Sequence, residues 1–273
     1  MSFPLNLTVL FVGALSLVVG LSVYASLLGR VAREGGKVRT SEFAVADLLV
    51  SIVLAGVFAA LVFSTVRLHA HRAPAAASAN QILPNAAFFL VLFVGIAAFL
   101  RSRGIRLARV LGLDRVTWPR ALATAIGLII AAFPLVIAAG ALMQNLLHGA
   151  ATEQELVTLF RDVTRKADYQ SIVKIFAAGV IVAPLSEEFL FRGYLYGVFK
   201  RYFGAPASAA FTAALFAIFH MNLASLPSLF VLAICFTIAY EATGTLLVPV
   251  SMHALFNSTQ LLFLYRQVVS ASS

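Results

Sequence analysis

Apolar runs of about twenty residues recur along this chain, and they constrain its fold more than any other feature. They fall at about 5–28, 43–66, 82–100, 121–147, 171–200, 207–221, 223–240 and 246–265. A helix rises 1.5 Å per residue, so some 20 residues cross a hydrocarbon layer of about 30 Å. The runs lack the alternation of a barrel strand. Backbone polar groups in lipid must be satisfied within their own segment, so such runs fold as helices. The expectation is an all-α polytopic membrane bundle of about eight transmembrane helices. Composition agrees: of 273 residues, 61% are hydrophobic and 11% charged, against about 25% charged in a soluble domain. Too little polar surface remains to cover a globule in water. The chain reads as one membrane domain, 1–273, with four helices in 1–147, a polar amphipathic segment in 148–170 and a last group of helices in 171–266.

The net charge of +9 does not point to nucleic acid, because the Lys and Arg residues sit in connections beside the spans, where they set topology. With the N-terminus outside, the connections after the first, third, fifth and seventh spans hold twelve Lys and Arg residues, and the opposite connections hold five. Both termini are therefore expected outside, in the cytoplasmic membrane of a bacterial or archaeal cell. The richest connection runs from Arg101 to Arg120; attraction to anionic lipid is secondary there. The first run lacks a basic leader and a short apolar core with a cleavage site, so it reads as a retained helix and not a signal peptide. Asp47 reads as an interfacial residue or a cap at the start of the second span. His69 and His71 read as solvated loop residues, Cys235 as a small core residue, and Pro134 as a kink in the fourth span. Leu156, Leu159, Phe160 and Val163 recur at helical spacing, which predicts an amphipathic helix at the interface.

The polar groups inside the apolar runs carry the chemistry. Ser186-Glu187-Glu188-Phe189-Leu190-Phe191-Arg192 lies within the fifth run. A charge near the bilayer centre costs about 2.5–3.5 kcal/mol on insertion scales, so ionisable residues there are candidates for function. Arg192 follows Glu188 by four residues and shares its helix face. Glu187 points about 100° away and is free for another partner. His220 ends the sixth run, four residues after Phe216. His253 and Asn257 share a face of the eighth run. Counting along each helix puts Glu187 and His220 about 20 Å deep and His253 nearer 10 Å. Two imidazoles and one or two carboxylates match the ligand types of a catalytic zinc. Glu187, Glu188, His220 and His253 are the candidate ligands of one divalent metal, which would polarise a carbonyl and acidify a bound water. A metal-free route is equally open: Glu187 as general base on water with His220 beside it, and His253 with Asn257 donating to an oxyanion. Either way the reaction is hydrolysis of an acyl bond. The zinc signature HExxH is absent, and neither Ser251 nor Ser258 sits in a nucleophile turn.

Glu187-Glu188 with Arg192, Phe216 with His220, and His253 with Asn257 form EExxxR, FxxxH and HxxxN on successive spans. This order resembles the three motifs of the CPBP family, the CAAX proteases and bacteriocin-processing enzymes also called Abi, which includes the Ras-converting endopeptidase of prenylated proteins. The resemblance covers about residues 171–265. It implies an intramembrane endopeptidase that cuts a membrane-associated peptide or protein, such as a CAAX-like, leader or sorting-signal tail. It further implies Glu187 as the water-activating base assisted by His220, with His253 and Asn257 as the oxyanion hole. Glu188 and Arg192 would orient the site, and a zinc ion is argued for some members and against for others. The alternative from a different class is a non-proteolytic membrane partner or regulator of another membrane protein.

Overall fold

The computed structural model describes residues 7–69, 82–147 and 155–272, and among them every regular element is a helix. The expected loop residues His71, Arg72 and Pro74, and the start of the 148–170 segment, lie outside that range. In chain order the elements are α1 (Leu7–Glu34), α2 (Val45–His69), α3 (Ile82–Ser102), a single turn α4 (Leu107–Val110), α5 (Trp118–Leu146) and α6 (Glu155–Arg165). A continuous rod follows: α7 (Tyr169–Ala177), a π-helical stretch π1 (Ala178–Val182), α8 (Ala183–Glu188), a second stretch π2 (Phe189–Tyr196) and α9 (Gly197–Phe203). Then come α10 (Ala205–Phe219), α11 (Leu226–Thr243) and α12 (Leu247–Ser272).

Five helices are long and apolar enough to cross a membrane: Leu7–Glu34, Val45–Thr65, Trp118–Leu146, Leu226–Thr243 and Leu247–Ala271. Ala86–Ser102 and Ala205–Phe219 are shorter apolar helices. Their outward faces carry Phe11, Leu15, Val53, Phe63, Val91, Ile130 and Ile137, all exposed. That surface is stable against hydrocarbon and not against water. The chain is an integral membrane protein.

Two apolar clusters fill the bundle. One gathers α2, α3, the 105–111 segment, the rod and α10 around Phe43, Phe58, Leu100, Phe191 and Phe216. The other joins α1, α5, α11 and α12 through Tyr24, Ala125, Phe236 and Met252. Small residues let α1 and α5 approach, as in other membrane helix pairs: a Cβ on Gly20 would land on the Ala131 carbonyl oxygen. Cys235 is buried in this second cluster, as its apolar setting predicts. Pro134 lies inside α5, which runs unbroken through it. The amphipathic reading of 156–163 holds, and its apolar face is turned onto protein: Leu159, Phe160 and Val163 of α6 meet Ile172, Ile175, Leu261 and Leu264.

The four connections expected on one side of the membrane are bonded to each other. Lys37 N donates to Glu241 O at 2.9 Å, Leu246 N to Leu111 O at 2.9 Å, and Arg115 Nη1 to Lys37 O at 2.8 Å. Arg201 Nη1 donates to Ser41 O at 2.8 Å. Of the two readings of Asp47, the cap is the one found, since the residue is buried: Ala44 N donates to its Oδ2 at 2.6 Å, and the same oxygen pairs with Arg103. These bonds gather the ends of α1, α3, α9 and α11 at one end of the bundle.

Candidate active site

The rod carries the two carboxylates to the seam between the apolar clusters. Glu187 is 8% exposed, Glu188 0%, Arg192 1% and His253 4%. Arg192 Nη1 donates to Glu188 Oε1 at 2.7 Å, the i, i+4 pairing read from the spacing. The guanidinium lies between two rings, 4.6 Å from the centroid of Phe216 and 5.2 Å from that of Phe236. A desolvated cation over aromatic faces gains about 2 kcal/mol, which helps hold Arg192 in an apolar interior.

α12 brings His253 to the same carboxylate. Its Nδ1 lies 2.9 Å from Glu188 Oε1, and its Nε2 lies 4.0 Å from Glu187 Oε2. The depth count, which put His253 some 10 Å short of Glu187, is corrected by this contact. The reason is the turn before α12. Gly244, Thr245 and Leu246 are buried, and a Cβ on Gly112 would strike the Gly244 carbonyl oxygen. The 107–116 segment covers the turn, so α12 begins inside the protein and not at its edge.

His220 closes α10 and is half-buried. Its Nδ1 is 2.8 Å from Phe216 O, and since a carbonyl only accepts, that nitrogen carries the proton. The Phe216 ring stands between the imidazoles, 4.7 Å from His220 and 5.9 Å from His253, centroid to centroid. The next residue, Met221, has φ of +54°. A left-handed non-glycine costs about 1–2 kcal/mol, and here it turns the chain sharply after the histidine.

Asn257 Nδ2 donates to Gly179 O at 2.7 Å. Gly179 lies in π1, where the wider turn leaves a carbonyl for a side chain. π segments concentrate at functional sites for this reason. One amide N–H of Asn257 thus ties α12 to the rod.

The structure therefore joins Glu187, Glu188, Arg192 and His253 directly, links His220 through Phe216, and links Asn257 through the rod backbone. Phe236 and Gly179 escaped the sequence reading, and nothing in an apolar run marks either. Glu241 also escaped it as a buried group, although an acid at the end of an apolar helix was a visible signal. As placed, the four candidate metal ligands do not fit a zinc site. Among the described residues no three His, Cys, Asp or Glu group to hold an ion. Tetrahedral zinc with bonds of about 2.1 Å sets ligand atoms about 3.4 Å apart, and the Nε2 to Oε2 separation is 4.0 Å.

No curated protein and no solved structure matches the chain. A protein-family model does, over residues 169–259, and its description is Type II CAAX prenyl endopeptidase Rce1-like. The matched stretch begins at the first residue of the rod and ends just past Asn257, so it contains all seven residues of the three motifs. Over residues 169–259, a third of its length, the chain is similar to the Rce1-like type II CAAX prenyl endopeptidases, as the order of the three motifs leads one to expect.

Proposed function

We propose that this protein is an intramembrane endopeptidase that cuts a peptide bond in the tail of a membrane-associated substrate, by water that Glu187 activates. The observation that carries the reading is the buried Glu187 carboxylate, whose Oε2 has no hydrogen-bond partner, facing an imidazole beside the buried Glu188–Arg192 pair. Water attacks the scissile carbonyl carbon, its proton passes to Glu187, and the carbonyl electron pair moves onto oxygen. When the intermediate collapses, the C–N bond breaks and the held proton goes to the leaving amine. His220, His253 and Asn257 are shared between the water and the oxyanion. Glu188 and Arg192 hold the arrangement in place.

The proposed topology has eight spans with both termini outside, counting the rod, Ala86–Ser102 and Ala205–Phe219 with the five long helices. The mutual bonding of alternate connections supports it, since an odd number of missed spans would separate them. The membrane proposed is the cytoplasmic membrane of a bacterial or archaeal cell.

The test is cleavage of lipid-anchored tail peptides by the full chain in liposomes. Glu187→Gln should remove it, with kcat falling about 10²–10⁴-fold as for loss of a general base. Undiminished cleavage by a folded Glu187→Gln protein rejects Glu187 as the base. Metal content of the purified protein, with activity before and after chelation, separates this reading from a zinc-dependent one.

A further inference from the structure

Glu188 has so far been a partner for Arg192, yet its Oε1 serves two groups at once, Arg192 Nη1 at 2.7 Å and His253 Nδ1 at 2.9 Å. A carboxylate that already accepts from a guanidinium also accepts from the imidazole, so Nδ1 is the nitrogen that carries hydrogen. Nε2 then offers its lone pair toward Glu187 Oε2, 4.0 Å away. Glu187 Oε2 is buried without a partner. Two acceptors at that separation do not bond to each other. They do suit one molecule with two hydrogens to give.

We infer that the nucleophilic water sits between Glu187 Oε2 and His253 Nε2 and donates to both, and that Glu188 is the positioning residue that fixes the His253 tautomer for this task. The inference rests on the peptidase reading and deepens it. The geometry fits a water: oxygen about 2.8 Å from each acceptor subtends roughly 90° between them, near the water angle of about 105°. Both lone pairs of that oxygen are then left for the carbonyl carbon. The order Arg192, Glu188, His253, water repeats the logic of a carboxylate that orients a catalytic imidazole. Phe236 stacks on the His253 ring with centroids 5.4 Å apart and planes 29° apart, and Phe216 meets its edge, so the ring has little freedom to turn over. His253 thereby stands on the water side of the scissile carbonyl, not on the oxyanion side. His220 and Asn257 are left to face the substrate.

The decisive measurement needs no substrate. The full chain, with its five histidines labelled with ¹⁵N, is studied in detergent micelles, and His253 is assigned by the loss of its signals in His253→Asn. The expected spectrum has Nδ1 protonated and Nε2 bare. A wild-type ring protonated at Nε2, or at both nitrogens, overturns the inference. Glu188→Ala should abolish the preference for Nδ1, while Glu188→Gln, which keeps an acceptor oxygen, should retain it. A folded Glu188→Ala protein with an unchanged His253 spectrum overturns the role given to Glu188. Variants at Glu188 strand Arg192 and can fail to fold, so the wild-type spectrum carries the main test.

In the cleavage assay His253→Asn keeps a donor for Glu188 and lacks Nε2. Its kcat should fall about 10²–10⁴-fold with KM unchanged; a retained kcat overturns the inference. A wild-type chain that cuts no peptide yet shows the Nδ1-protonated ring removes the peptidase reading alone.

Discussion

Replacing Glu241 by alanine should destabilise the bundle by about 3–5 kcal/mol, the usual cost of removing one partner from a buried ion pair. The figure follows from what the carboxylate holds. Glu241 is 3% exposed near the end of α11, a position where the helix dipole disfavours an anion. It compensates with three donors: Tyr196 Oη at 2.5 Å, Lys200 Nζ at 2.6 Å and Val38 N at 3.3 Å. Alanine leaves all three without that acceptor. The Lys200 side chain is 16% exposed and can extend its ammonium toward water, and Nζ also donates to Val38 O at 3.2 Å. Tyr196 is buried and has no such exit; a buried donor without a partner costs about 1–3 kcal/mol. Glutamine at 241 keeps an acceptor for Tyr196 and loses only the charge. It should cost less, about 1–3 kcal/mol. The assay is reversible unfolding of the full chain in mixed micelles, followed by tertiary fluorescence. Glu241→Ala within about 0.5 kcal/mol of wild type, the range of ordinary surface changes, refutes the claim that this acid ties the loop, α11 and the rod together.

Two further predictions concern the rod. Asn257→Asp replaces the donor to Gly179 O with an acceptor, so it should destabilise by about 1–3 kcal/mol and more than Asn257→Ala, read in the same unfolding assay. At the start of α7, Ser171 hydrogen bonds hold the Asp168 carboxyl below the usual carboxylate range. A depressed carboxyl contributes stability above its unfolded-state value and loses it as pH falls through the folded one. Acid should therefore lower the exchange protection of the Ser171 amide, and Asp168→Asn should flatten that response.

Much of the site was legible because helical spacing is arithmetic. Glu188 and Arg192 pair as i, i+4 demands, and Asp47 caps as its place at a helix start allows. The depth of His253 was not legible, because counting from a span end assumes that the end lies at the membrane edge. Here the Gly244 turn is buried under the segment after α3, and only tertiary contacts reveal that. The ring of Phe236 beside Arg192 was equally hidden. An aromatic residue in an apolar run looks the same whether it faces lipid or a guanidinium. Eight apolar runs were visible, yet five stand as long continuous apolar helices, since the fifth run is broken into α and π stretches and two others are short.

The π stretches make the site a matter of residue count. Each π turn takes in more residues than an α turn, so losing one residue from Ala178–Val182 would let that stretch close as ordinary α-helix with the acids beyond it still facing the seam. What would go is the carbonyl that the wide turn leaves for Asn257. The α-helical turn from Ala183 to Leu185 has no such slack, and one residue lost there would swing everything beyond it by about 100°. A single-codon deletion at that point would keep the hydropathy of the span, leave Gly179 beside Asn257 and still turn both acids away from the histidine.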